Sequence, residues 1–278
     1  MPLDQQLAYP IVSRPDTANL IIFSDLDGTL LDHRSYSHAE AAPALGQLRE
    51  LGVPLVLASS KTAAEIIPLR DELGFAHCEA IVENGSGILE GNTADNEPEG
   101  TYQRIQQVLA ALPSRLRSQY QGFADWTAEQ VSQRTGLPVS DAENARKRRF
   151  SEPGVWLGSE EEKAEFIAAI SASDLIAQQG GRFLTLSFGG NKAERMMEIA
   201  DRYSRYGQKP FIVALGDATN DLAMIEQADL GVIIPNPAHA GIPRLAGEAT
   251  GRIIRAPFAG PKGWNEVITS VLKTAEQK

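Results

Sequence analysis

Short apolar segments of strand length alternate with amphipathic helical segments along this chain, and one long interruption divides the alternation in two. Residues 20–23, 54–58, 80–82 and 211–215 read as strands. The apolar spacing predicts helices over 39–51, stopped by Gly52, and over 62–73, stopped by Gly74. Such alternation predicts an α/β fold, a doubly wound parallel sheet with helices on both faces. The interruption begins near 91–100, a stretch rich in Gly, Asn, Asp and Glu that reads as a linker. A helix is expected over 101–120, with Ile105, Val108, Leu109 and Leu112 at helical spacing, a second over 160–170, and a strand over 182–188. Residues 90–190 are therefore expected to form an inserted domain between two halves of a core, 19–89 and 191–278, with an N-terminal arm over 1–18. The core resumes with a helix opened by Asn191 and Lys192 and running over 193–206, a strand near 231–234 and a closing helix over 264–274.

The ends of the core strands carry the side chains with chemistry. The first strand runs into Asp25-Leu26-Asp27-Gly28-Thr29. Side chains alternate along a strand, so Asp25 and Asp27 lean the same way. Two carboxylates that close repel unless a cation lies between them, and a hard divalent metal suits oxygen ligands. Mg²⁺ keeps several of its waters and sits well beside phosphate. A metal-held Asp is also a competent nucleophile toward phosphorus, with its neighbour free to shuttle a proton. The second strand ends in Ser59-Ser60-Lys61-Thr62, where hydroxyls and backbone N–H groups at a helix start form a phosphate cradle. Strand 211–215 ends in Gly216-Asp217-Ala218-Thr219-Asn220-Asp221, two more carboxylates where open α/β sheets bind ligands. Lys192 places an ammonium where it can hold a phosphate as a point charge. Asn220 either contacts phosphate, orients a ligand or caps a helix.

Composition narrows the classes. A net charge of −10, from 26 basic and 36 acidic residues, disfavours a nucleic-acid partner. One cysteine, Cys78, allows no internal disulfide and suggests a reducing compartment. No apolar run approaches the length of a membrane span, and the polar N-terminal segment lacks the basic start and apolar middle of a signal peptide. A cytoplasmic protein acting on a small molecule, with no membrane or nucleic-acid partner, is expected.

Asp25-Leu-Asp27-Gly-Thr, Ser59, Lys192 and Gly216-Asp217 with Asn220-Asp221 follow one another as in the haloacid dehalogenase superfamily of phosphohydrolases, which the chain strongly resembles. Glu83-Asn84-Gly85 and the long gap before Lys192 resemble the subgroup with a large α/β cap. More narrowly, Ser59-Ser60-Lys61-Thr62, Arg149-Phe150-Ser151-Glu152-Pro153 and the run from Gly260 to Glu266 resemble the mannosyl-3-phosphoglycerate phosphatases. That pattern usually carries an acidic residue just after its first Arg; here Phe150 follows Arg149 directly.

The resemblance implies a Rossmann-like core and a mechanism through an aspartyl-phosphate. Asp25 is expected as nucleophile and Asp27 as the acid that protonates the leaving oxygen and then takes a proton from water. Mg²⁺ is expected on Asp25, on the backbone carbonyl of Asp27 and on Asp217, with Asp221 either a ligand or a partner holding a metal water. Ser59 and Lys192 are expected to balance charge on the phosphoryl oxygens. Ser60, Lys61, Asn84, Ser151 and Asn220 are implied as substrate contacts. In the cap, Arg149 is expected to bind the glycerate carboxylate and Glu152 to accept from sugar hydroxyls, with Pro153 fixing a bend. The expected substrate is mannosyl-3-phosphoglycerate. The alternatives are its glucosyl counterpart or a general sugar phosphate, and a non-catalytic regulatory protein on the same fold.

Overall fold

The computed structural model describes residues 16–92, 100–205, 207–238 and 241–276. Most of the expected N-terminal arm, most of the 91–100 linker and the expected helix end at Tyr206 lie outside the described residues. The first half of the chain builds β1 (Leu20–Ser24), α1 (Ala42–Leu51), β2 (Leu55–Ala58), α2 (Ala63–Leu73), β3 (Ala80–Val82) and β4 (Gly87–Leu89). Next come α3 (Thr101–Ala110), α4 (Ser114–Arg117), β5 (Tyr120–Gly122), α5 (Ala128–Thr135), α6 (Val139–Ala145) and β6 (Ser151–Trp156). They are followed by α7 (Glu160–Ser171), β7 (Ile176–Gln179), β8 (Leu184–Ser187), α8 (Lys192–Arg202), β9 (Phe211–Gly216) and α9 (Leu222–Gln227). The chain closes with β10 (Leu230–Ile233), β11 (Ile253–Arg255) and α10 (Gly260–Glu276).

Seven strands form one sheet in the order β11-β10-β9-β1-β2-β3-β4. The pairs are parallel except β3 with β4. Its central strand is apolar at both parities because both faces are covered. Leu20 and Ile22 pack with residues of α1, α2 and α10, whereas Ile21 and Phe23 pack with residues of α8 and α9. This is the doubly wound arrangement expected from the alternation. The helix signals act where the sequence places them. Thr62 caps α2 in a reciprocal box with Glu65, and Gly52 and Gly74 end α1 and α2 in the left-handed region.

The inserted segment carries a four-stranded sheet in the order β5-β6-β8-β7, antiparallel throughout. Ser151 lies opposite Ser187, and Pro153 and Gln178 both lie opposite Thr185, so these residues share one face. On the other face Leu184 and Leu186 pack with Ile105, Leu109, Phe166 and Ile170 of α3 and α7.

Two expectations here differ from the structure. The helix expected over 101–120 stops at Ala110, because Pro113 lacks an N–H and disfavours helical backbone in the residue before it. Tyr120 opens β5 instead. The bend expected at Pro153 is absent: Pro153 lies within β6, beyond the part of that strand paired with β5, where its missing N–H leaves no ladder bond unmade on that side. Among the described residues, no helix is long and apolar enough to cross a membrane.

Candidate active site

The carboxyl ends of β1, β2, β9 and β10 converge. Asp25 leaves β1 with its N–H donating to Leu215 O of β9 at 2.9 Å. Behind it, the Ser24 hydroxyl donates to Asp25 O at 2.7 Å and accepts from Trp264 Nε1 at 3.0 Å. The chain then turns tightly, Gly28 N–H donating to Leu31 O and Leu31 N–H to Leu26 O. Gly28 sits at φ +86°, and a Cβ there would lie 2.2 Å from Asn236 Nδ2 and 2.8 Å from Asp217 Oδ2. Only glycine fits this turn.

Asp25, Asp217 and Asp221 are all buried and each offers an oxygen within 4.8 Å of the others. Lys192, the first residue of α8, donates from Nζ to Asp25 Oδ1 at 2.5 Å and to Asp221 Oδ1 at 2.7 Å. Burial pushes the Asp25 carboxyl well above its ordinary range, helped by the charge of Asp221 and opposed by Lys192. Burial works against the Lys192 charge as well, yet Asp221 and Asp25 outweigh it and its pKa is raised. Three carboxylates against one ammonium leave two negative charges uncompensated in a buried site, and a divalent cation offsets them. The donor set is all oxygen, which suits Mg²⁺. Asp221 is held further, its Oδ2 accepting from the N–H groups of Asp217 and Ala218 at 3.2 and 3.1 Å. Asp217 accepts from Asn236 Nδ2 at 2.6 Å and from the Thr29 hydroxyl at 3.3 Å. Neither donor was expected from the sequence. Asn236 follows β10, and the carboxyl-end rule that pointed to Asp217 applies to it equally.

The second strand end gives the loop expected to cradle phosphate. Ser59 is buried at the end of β2, and its hydroxyl accepts from Lys61 N–H at 3.2 Å. Lys61 Nζ sits 2.9 Å from Asp27 Oδ2. Burial opposes the charge on Lys61, but Asp27, Glu65 and Tyr36 outweigh it and the ammonium is favoured. Among the described residues, Asp27 Oδ1 is buried without a hydrogen-bond partner. Next to this loop, Glu83, Asn84 and Gly85 all lie at positive φ, 52°, 63° and 94°. Two consecutive non-glycine residues in that region store strain, which clusters at functional sites. Gly85 is required there, since a Cβ would sit 2.4 Å from Lys192 N. Asn84 Oδ1 accepts from Asn220 Nδ2 at 3.1 Å, so Asn220 pairs with the loop.

A cavity of about 680 Å³ opens between core and cap. Asp27, Ser60, Lys61, Asn84 and Asn220 line it from the core. From the cap its lining includes Arg148, Gln178, Thr185 and Ser187. The expected cap contacts divide. Ser151 starts β6 and donates its hydroxyl to Glu83 Oε2 at 2.7 Å. Arg149 is not among the lining residues; its N–H donates to Glu83 Oε1 at 2.8 Å, and the arginines that do line the cavity are Arg148, beside Ser60 and Ser151, and Arg182, whose Nη1 donates to the carbonyls of Arg134 and Thr135. Glu152 is 1% exposed and lies on the helix-covered face of β6. It accepts from the Tyr102 hydroxyl at 2.6 Å and from Ala124 N–H at 2.8 Å, and burial raises its pKa. Strand alternation thus turns Ser151 toward the core and Glu152 away from it. Glu83 is a residue to which sequence reasoning gave no role. It is buried at the end of β3 and also accepts from Phe150 N–H at 3.2 Å, which makes it the main polar clasp between core and cap.

Residues 22–121 match the family described as haloacid dehalogenase-like hydrolase. The chain is 32% identical over 276 residues to a glucosyl-3-phosphoglycerate/mannosyl-3-phosphoglycerate phosphatase of Persephonella marina, covering 93% of this chain and 99% of that one. Among solved structures, it resembles a phosphatase of the haloalkanoate enzyme superfamily from Bacteroides thetaiotaomicron, at TM-score 0.59 and 17% identity over 92% of this chain and 94% of the other. It also resembles the sucrose-phosphatase of Synechocystis, solved with sucrose and phosphate, at TM-score 0.53 and 14% identity over 91% and 98%. At these identities the structural likeness is one of fold.

Proposed function

This chain belongs to the haloacid dehalogenase-like hydrolases, and from that membership we propose that it is a Mg²⁺-dependent phosphatase of glycosyl-3-phosphoglycerates, the mannosyl and glucosyl esters being its candidate substrates. The observation that carries the reading is the convergence of Asp25, Asp217, Asp221 and Lys192 at strand ends, beside a cavity large enough for a sugar ester.

Asp25 attacks phosphorus in line and is itself phosphorylated, so one hard displacement becomes two easier ones. Asp27 gives a proton to the departing glycerate oxygen and then takes one from the water that hydrolyses the aspartyl-phosphate. Its Oδ1, which no protein donor engages, is the oxygen free for that exchange, while Lys61 fixes the other. Ser59, the amides after it and Lys192 offset charge on the phosphoryl oxygens as it builds. Asp25, Asp217 and the carbonyl of Asp27, with Asp221 beside them, would hold Mg²⁺, which when bound would supply further positive charge at the phosphoryl group. Ser60, Lys61, Asn84 and Asn220 line the substrate's path from the core.

The test is phosphate release from a panel holding both glycosyl-3-phosphoglycerates, neutral sugar phosphates and an aryl phosphate, with Mg²⁺ and with chelator. The reading expects Mg²⁺-dependent release with the glycosyl-3-phosphoglycerates preferred. Equal rates across the panel would leave a general phosphatase, and no release from any would leave a non-catalytic protein.

A further inference from the structure

Arg148 sits where cap, core and cavity meet, and we infer that it is the residue that selects substrates with a carboxylate beside the phosphoester, Glu83 being the positioning residue that holds its guanidinium. The inference rests on the phosphatase reading above and deepens it, since it concerns how one end of the substrate is told from a neutral one.

The Arg148 side chain is 7% exposed although it lines the cavity. Its Nη2 donates to Ser151 Oγ at 2.8 Å and its Nη1 to Ser60 O at 3.3 Å. Its Nε lies 3.3 Å from Glu83 Oε2 yet makes no hydrogen bond among the described residues. The guanidinium is therefore held on three sides by groups of fixed position while retaining unused donor capacity. Ser151 Oγ in turn donates to Glu83, and Glu83 is fixed by Arg149 N–H and Phe150 N–H, so the ring of contacts closes on itself.

Position and chemistry then point to one ligand group. Ser60 directly follows Ser59 in the loop that faces the phosphoryl group, so a substrate atom touching Arg148 lies within a few bonds of phosphorus. In a 3-phosphoglycerate ester the carboxylate is that near. A pre-oriented guanidinium fork matches a carboxylate geometrically, and the other cations lining the cavity among the described residues are engaged elsewhere, Lys61 by Asp27 and Arg182 by the carbonyls of Arg134 and Thr135. Glu83 spreads its charge over several donors, so it orients Arg148 without filling the fork.

The experiment compares two matched esters, a glycosyl-3-phosphoglycerate and its analogue with the carboxylate reduced to hydroxymethyl, and reads the ratio of their kcat/KM values. Wild type is expected to favour the carboxylate ester by roughly tenfold or more, the worth of one good charge-assisted contact. Arg148→Gln should bring the ratio close to one, and Arg149→Gln should leave it as in wild type. Glu83→Gln should lower it partway, because the fork loses its anchor but stays in place. Should Arg148→Gln fail to fold, Arg148→Lys keeps the cation and loses the fork, and the ratio should still fall. A clasp between cap and core, or a contact with the phosphoryl group, would slow both esters alike, and an unchanged ratio in Arg148→Gln overturns the inference. So does a ratio lost in Arg149→Gln instead, or a wild type that hydrolyses both esters equally while remaining a phosphatase. Hydrolysis of neither ester overturns the substrate reading itself, and the role of Arg148 with it.

Discussion

Lys192 Nζ donates to Asp221 Oδ1 across 2.7 Å, and neither side chain is more than 1% exposed. The same ammonium reaches Asp25, so it bridges two of the three carboxylates of the acidic cluster. Losing one partner of a buried ion pair costs about 3–5 kcal/mol, because the charge left behind is desolvated and unpaired. Lys192→Met should therefore melt well below wild type in chelator. Added Mg²⁺ should recover part of that deficit by supplying the missing positive charge. Thermal melts of both proteins with and without Mg²⁺ check this; a deficit of the same size in both conditions would argue against a cation site at these aspartates.

Binding of Mg²⁺ to the folded state alone should raise the wild-type melting temperature as its concentration exceeds Kd. Asp217→Asn keeps the shape of the side chain, and so its fit beside Gly28 and Asn236, but removes a charged ligand. The Mg²⁺-induced shift should shrink in this variant, and chelator should stop phosphate release by wild type. A full shift in Asp217→Asn would remove Asp217 from the metal site.

Asp25→Asn should lower turnover by at least about a thousandfold while far-UV circular dichroism stays that of wild type, because it removes the proposed nucleophile and preserves volume. Asp27→Asn should be nearly as damaging with a glycerate leaving group and much milder with an aryl phosphate, whose leaving group hardly needs a proton. Equal losses on the two substrates would take the acid role from Asp27.

The core of this site could be read from the chain because three local signals coincide there: an apolar strand, a glycine turn, and polar side chains at the strand's end. Asp25, Ser59 and Asp217 each follow such a strand, and parallel pairing brings those ends together. Residues that act through distant pairing carried no such signal. Glu83 and Arg148 are 65 positions apart in number and meet only because cap and core close on each other. Asn236 does follow a strand end, but it stands among prolines after β10 with no carboxylate beside it, so the carboxyl-end rule was its one signal. The cap was less legible for a related reason. Three of the four residues of β7 are exposed and the fourth is half-buried, so they show no apolar alternation, and the strand's place is set by pairing with β8. In β6 the family-like run was visible, but which side chains face the core follows from register. A shift of one residue exchanges the two faces, and the register found here turns Glu152 toward Tyr102.

Trp264 offers a test of how the scaffold supports Asp25, the proposed nucleophile. Its indole is fully buried in α10, and its N–H reaches Ser24 Oγ, whose hydroxyl goes on to Asp25 O. Trp264→Phe keeps most of the apolar contact but loses the donor and part of the ring. The expected cost is about 2–3 kcal/mol from a lost hydrogen bond and a small cavity together. Ser24→Ala leaves the indole N–H buried without an acceptor and frees the Asp25 carbonyl, at about 1–3 kcal/mol. In the double variant the orphaned donor is gone, so the two losses should not add. Urea denaturation of the four proteins should give a coupling of about 1 kcal/mol in favour of the pair. Turnover should fall less in Trp264→Phe than in Ser24→Ala, since in the former the serine still holds the backbone of Asp25. Strict additivity in the urea cycle would mean that the indole contributes by packing alone.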